Sequence, residues 1–185
     1  MKLYHIIEQL MNIYITAQII GFLGYIFLTS APSLKKQDQI IRMDMLACSF
    51  LCLQWIMLEQ PALMILNALN LVLSLFCLKV NKHTITQKSA LIIYLIGCGA
   101  LISVSSGTII DVLCVFSFCL IVKAKLSKDI LIFRNFSIMA GSIFIICGII
   151  AASLPAILFN ALFVLLHLYK TRDLSAILLQ KQLAQ

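Results

Sequence analysis

The chain has 185 residues and a net charge of +7, yet it is 62% hydrophobic and only 11% charged, with a mean hydropathy of +1.06. Soluble domains are about 45–50% apolar and about 25% charged, so no single globular core absorbs this excess, and a polytopic, all-α membrane protein is expected. The cations lie in short connections between apolar stretches, with no interleaved aromatics and no zinc-ligand spacing, which argues against a nucleic-acid partner.

A helix needs about 20 predominantly apolar residues to cross the hydrocarbon core, and about 17 suffice. In chain order this predicts an N-terminal interfacial segment (1–12) and then spans at 13–30, 43–58, 61–78, 89–106, 108–122, 131–150 and 155–169. A tail over 170–185 follows, with its apolar residues mostly on one face, as suits a helix lying on the membrane surface. The start resembles a signal peptide in its charged Lys2 and its "TSA", but Glu8, Gln9, Asn12 and Gln18 interrupt the apolar region, so an uncleaved first span is expected. Ser105, Ser106 and Gly107 supply the turn between the fourth and fifth spans.

Charge sets an orientation. Thirteen of the fourteen basic residues fall in alternate connections and the tail, and only Lys2 lies on the other side. The positive-inside rule makes the rich side cytoplasmic, with the N-terminus outside and the C-terminus inside. In this reading Lys125 and Arg134 are loop or span-edge cations. The seven cysteines all sit inside apolar spans without a C-x-x-C, so they read as small buried hydrophobes, and no metal is expected.

Asn67, Asn70 and Ser74 fall at i, i+3 and i+7 of a greasy stretch and stack along one helix face. A shift of 93 residues places Asn67 on Asn160, Ser49 on Ser142 and Ser74 on His167, and brings the basic connections into line. The first, second and third spans then coincide with the fifth, sixth and seventh, and the odd fourth span restores the orientation. The expected architecture is therefore 3+1+3: a first repeat over 13–78, a linker helix over 89–106 and a second repeat over 108–169. This is a parallel repeat about an axis along the membrane normal, as in sugar-transporter folds of the SWEET kind.

Substrate sites in such folds lie near the midplane between repeats. Asn67 sits about 9 Å from the outer end of its span at 1.5 Å per residue, and Asn160 is at a comparable depth. Both carboxamides can donate to and accept from a polar solute, with Ser74 and His167 deeper along the same faces. The plainer alternative is that each Asn joins helices, worth about 0.6–2 kcal/mol in a membrane. Asp111 and its repeat partner Gln18 lie at the outer ends of their helices and are candidates for gating or coupling. Trp55, near the outer end of the second span, reads as an interfacial anchor in preference to a cavity residue. No G-x-S-x-G, H-E-x-x-H, phosphate loop or pair of intramembrane carboxylates appears, so neither an enzyme nor a cofactor is expected.

The stretch "AQIIGFLGYIF…KKQDQIIRMDMLACSFLCLQWIML…PALMILNALN" resembles the YgjV-type bacterial inner-membrane proteins, with "GSIFIICGIIAASLPAILFNAL" consistent with it in the second half. The resemblance implies an inner-membrane location and carries no activity over. More distantly the layout is similar to the SWEET and PQ-loop superfamily, whose third-helix Asn faces the substrate, which implies that role for Asn67 and Asn160. The proline-glutamine turn of that group is missing: Ser33 follows Pro32, and Lys125 stands at the repeat position of Pro32.

The expected function is a carrier for a small polar solute working by alternating access. Its surroundings would be the lipid bilayer, and a homo-oligomer is compatible with the sequence. The alternative is a non-transporting membrane scaffold that stabilises a partner.

Overall fold

The computed structural model describes the backbone of residues 2–79 and 87–183, and side chains within 8–79 and 89–174. It is all-helical, with α1 (Lys2–Ser30), α2 (Gln37–Met57), α3 (Pro61–Lys79), α4 (Gln87–Ser103), α5 (Ile109–Leu126), α6 (Ile130–Ile150) and α7 (Leu154–Leu183). A 3-10 turn over Ala31–Ser33 follows α1, where Pro32 cannot continue the helix.

Five helices are long and apolar enough to cross a membrane: α1 (from Glu8), α2, α3, α6 and α7 (to Leu174). The 17 residues of α4 and 18 of α5 reach about 26 and 27 Å, just short of a hydrocarbon core of about 30 Å. α5 also carries Asp111, Lys123 and Lys125. The surface inverts the soluble pattern. Leu95, Ile96, Phe116 and Leu165 are all more than 60% exposed, whereas Gln54, Ser74 and His167 are fully buried. Such an exterior is at home in acyl chains and nowhere else.

At the N-terminal end α1 runs unbroken from Lys2, since no Gly or Pro interrupts it before Gly21. The tail likewise continues α7 to Leu183. The side-chain face of the tail beyond Leu174 and the positions of the Lys2, Lys82, Lys88 and Lys181 side chains lie outside the described residues.

Around the bundle α1 packs on α2, α2 on α3, α3 on α5, α5 on α6, α6 on α7, and α7 back on α1. These six close a ring. α4 stands outside it against α5, with a slighter contact to α3.

The 93-residue offset recurs in backbone detail. α2 ends in a left-handed cap at Glu59 (φ 54°), with Gln60 N–H donating to Trp55 O at 2.9 Å and Glu59 N–H to Ile56 O at 3.1 Å. α6 ends the same way at Ala152 (φ 50°), with Ser153 N–H on Gly148 O at 2.9 Å and Ala152 N–H on Ile149 O at 3.2 Å. Both are Schellman caps with a non-glycine residue in the strained position, and they turn the chain within three residues.

Glycines set the close contacts. A Cβ at Gly97 of α4 would lie 2.1 Å from the ring of Phe118 on α5, whereas one at Gly99 would meet nothing within 4 Å. Gly97→Ala is therefore expected to destabilise by about 1–3 kcal/mol through overpacking. Gly99→Ala should leave the thermal unfolding temperature in detergent unchanged or slightly raised. Equal behaviour of the two variants would refute this packing.

Candidate functional site

The six ring helices surround a cavity of about 70 Å³, counted as space open to the centre of a water molecule. That is room for roughly five waters. Its wall takes Tyr25 from α1, Asp44 and Trp55 from α2, Asn67 and Asn70 from α3, Lys125 from α5, Ser137 from α6, and Asn160 and His167 from α7. α4 contributes nothing to this lining. Most of the remaining wall is apolar, including Phe133, Phe144 and Phe163.

Asn67 and Asn160 both face this space and are both 2% exposed. Each Nδ2 donates to the carbonyl one turn earlier in its own helix, Asn67 to Leu63 O at 2.8 Å and Asn160 to Ala156 O at 2.7 Å. These bonds hold the side chains against their own helices. A carboxamide has a second N–H and a carbonyl oxygen, and at Asn160 the Tyr25 hydroxyl takes up part of that capacity.

The main polar cluster was not legible as such. Lys125 is not a loop cation: the residue is 4% exposed and its ammonium points inside the bundle. It pairs with the Asp44 carboxylate and donates to the Asn70 side-chain oxygen, the Ser74 hydroxyl and, at 3.3 Å, the Asn70 carbonyl. Asn70 in turn donates to Cys48 Sγ at 3.0 Å. Ser74 therefore does not line the cavity directly; it supports the lysine that does. One side chain from α5 thus gathers groups from α2 and α3.

Arg134 is likewise interior, at 2% exposure. It donates to Pro32 O at 3.1 Å and Leu34 O at 3.2 Å, capping the chain that leaves α1, and to His167 Nδ1 at 3.3 Å. A guanidinium only donates, so Nδ1 is an acceptor and the imidazole proton sits on Nε2. That Nε2 is buried without a partner among the described residues. The His167 ring is fixed by Phe163, edge to face at 4.4 Å.

Trp55 is not an interfacial anchor. It is 2% exposed and lines the cavity, because Schellman-capped α2 turns this face inward against α1 and α3. Asp111 and Gln18 lie away from the cavity wall. The Asp111 carboxylate accepts from Thr108 N–H at 2.8 Å, Ser106 N–H at 3.0 Å and the Ser105 hydroxyl at 3.2 Å, a capping box that organises the turn into α5. Both amide atoms of Gln18 are buried without a partner among the described residues, and no hydrogen bond links it to Asp111 there.

At the opposite end from Lys125, the fully buried Gln54 donates to the Ser153 hydroxyl at 3.3 Å, and Tyr14 donates to Ala152 O at 3.1 Å. A Cβ at Gly21 would lie 2.2–2.4 Å from the Gln54 amide, so the glycine makes room for this contact. No group of three or more acidic, His or Cys side chains among the described residues is placed to hold a metal ion.

Breaking one partner of a buried ion pair costs about 3–5 kcal/mol, whereas removing both costs far less. Lys125→Met is therefore expected to lower thermal stability strongly, with the Asp44→Asn/Lys125→Met double variant recovering much of the loss. Additive losses would show that the pair is not coupled. Asp111→Asn weakens a cap worth about 1 kcal/mol, seen as a small fall in unfolding temperature.

No curated protein and no solved structure matches the chain. The family model described as Imp-YgjV, bacterial inner membrane protein, matches residues 15–175 and so spans five of the seven helices entirely, most of the other two, and all of the cavity wall. Together with the apolar exterior, this makes the chain a multi-pass bacterial inner membrane protein, and it belongs to the Imp-YgjV family.

Proposed function

We propose that the protein is a carrier that moves a small polar solute through the central cavity by alternating access between two three-helix halves. The observation that carries this reading is the cavity itself: a partly polar space among the six ring helices, with both Asn67 and Asn160 on its wall. A protein built only to fill the membrane would gain nothing from two carboxamides left facing a void.

In this reading α1–α3 and α5–α7 are parallel repeats joined by α4, and all seven helices cross the bilayer. The 93-residue offset of the helix caps, the matching ends of α2 and α6, and the ring order with α4 outside all support it. The cation-rich end faces the cytoplasm, the N-terminus lies outside, and the C-terminus lies inside.

Contacts between the halves occur at both ends. Lys125 and Arg134 reach from the second half to the first at the inner end, and Gln54 and Tyr14 reach the Ala152–Ser153 turn at the outer end. Opening to one side requires the halves to part at that end while the other contacts persist, and a solute bound between the two Asn side chains bridges the halves as they rock. Asp111 and Gln18 enter this reading as residues of the outer mouth.

Solute counterflow into proteoliposomes, with pooled sugars, amino acids and organic acids, tests the proposal. Wild type should accumulate at least one solute. The Asn67→Ala/Asn160→Ala variant, folded by size exclusion, should lose at least tenfold of that flux. Flux undiminished by the substitutions would remove the site, and no flux from folded protein would favour a membrane scaffold.

A further inference from the structure

The two buried cations, both from the second half, are met differently. Lys125, from α5, meets a carboxylate of the first half, Asp44. The residue 93 positions after Asp44 is Ser137, which also lines the cavity and spends its hydroxyl proton on Phe133 O at 2.8 Å. Ser137 follows Arg134 by three residues on the same helix, hence on nearly the same face. Lys125 thus faces an acid, whereas Arg134 shares its helix face with a hydroxyl.

Arg134 is hydrogen-bonded to two carbonyls and an imidazole, but none of these carries a net charge. Among the described residues no carboxylate pairs with it. Ionisable groups inside a membrane bundle pair with opposite charge or serve a transported one. Lys125 and Asp44 cancel, so the cavity and its immediate support hold one positive charge in excess.

His167 connects that charge to the cavity. Its Nδ1 takes the Arg134 proton donor, and its Nε2–H, buried and without a partner among the described residues, belongs to a side chain of the cavity wall. The rest of the nearby wall is aromatic, with Phe133, Phe144 and Phe163. Resting on the carrier reading above, we infer that the solute is a small monoanion with an apolar part. Its anionic group accepts from His167 Nε2 on the Ser137 side, and its apolar part lies against the aromatic wall. Arg134 acts through His167 as a positioning residue.

Trp55 is the sole tryptophan of the chain and lines the same cavity, so its fluorescence reports occupancy without any transport. The test titrates the full chain, in nanodiscs at constant ionic strength, with butyrate against butyramide and phenylacetate against phenylacetamide. Each carboxylate should perturb Trp55 emission with an apparent Kd at least tenfold below that of its amide. Arg134→Gln and His167→Gln should bring the ratio to near unity, and Arg134→Lys should keep it. Should the glutamine variants fail to fold, the wild-type ratio decides alone. Equal affinities within each pair, or no response to either carboxylate at tens of millimolar, would overturn the inference. Binding without counterflow of the same carboxylates would uphold the anion site and sink the carrier.

Discussion

The arrangement depends on a lysine held away from water. An ammonium inside a bundle is tolerated only when opposite charge and hydrogen-bond acceptors surround it, because the desolvation penalty is several kcal/mol per ion. Lys125 obtains both, but from two other helices: the carboxylate from α2 and the neutral acceptors from α3. The register of α5 against α2 and α3 is thereby fixed to within a hydrogen-bond length. Slippage by one turn would strand both charges in a low-dielectric interior, so the contact specifies position more than it adds stability.

Arg134 does a related task with different means. It ties α6 and α7 to the chain leaving α1, using carbonyls that the 3-10 turn at Pro32 leaves without helical partners. Together the two cations place polar chemistry at one end of the cavity, while Trp55, Tyr25 and the phenylalanines supply an apolar body. Such a wall accommodates amphipathic molecules better than uniformly polar ones, since an uncompensated hydroxyl against an aromatic face loses its hydration without replacement.

Much of the scaffold was readable in the sequence, because hydrocarbon imposes a simple rule: about 20 apolar residues per crossing and polar groups between. The helix positions, the turn at Ser105–Gly107 and the burial of Asn67, Asn160, Ser74 and His167 follow from it. The polar core did not. Lys125 and Arg134 sit within a turn or so of their helix ends, where a long side chain can reach outward to water or inward to a partner. Sequence gives the Cα position and not that direction. The inward choice depends on Asp44, Asn70 and His167, which are distant in sequence, and a cation count assigns all such residues to the loops. Asp44 was hidden for the same reason, as one acid in the first turn of the expected second span (43–58). Trp55 fails differently: its depth suits an interface, and only the packing of α2 between α1 and α3 turns it inward.

The three-residue turns that close the α2–α3 and α6–α7 hairpins bear on how the chain is made. A helix pair with so short a tip can enter the bilayer as one body, carrying little more than Glu59 or Ala152 at its apex. Asn67 and Asn160 travel with one amide N–H each already satisfied inside their own helices. Neither hairpin then needs the other half in order to insert. Asp44, by contrast, finds its cation only once α5 has been made, because Lys125 comes later in the chain. A chain that stopped before α5 would leave that acid without its partner.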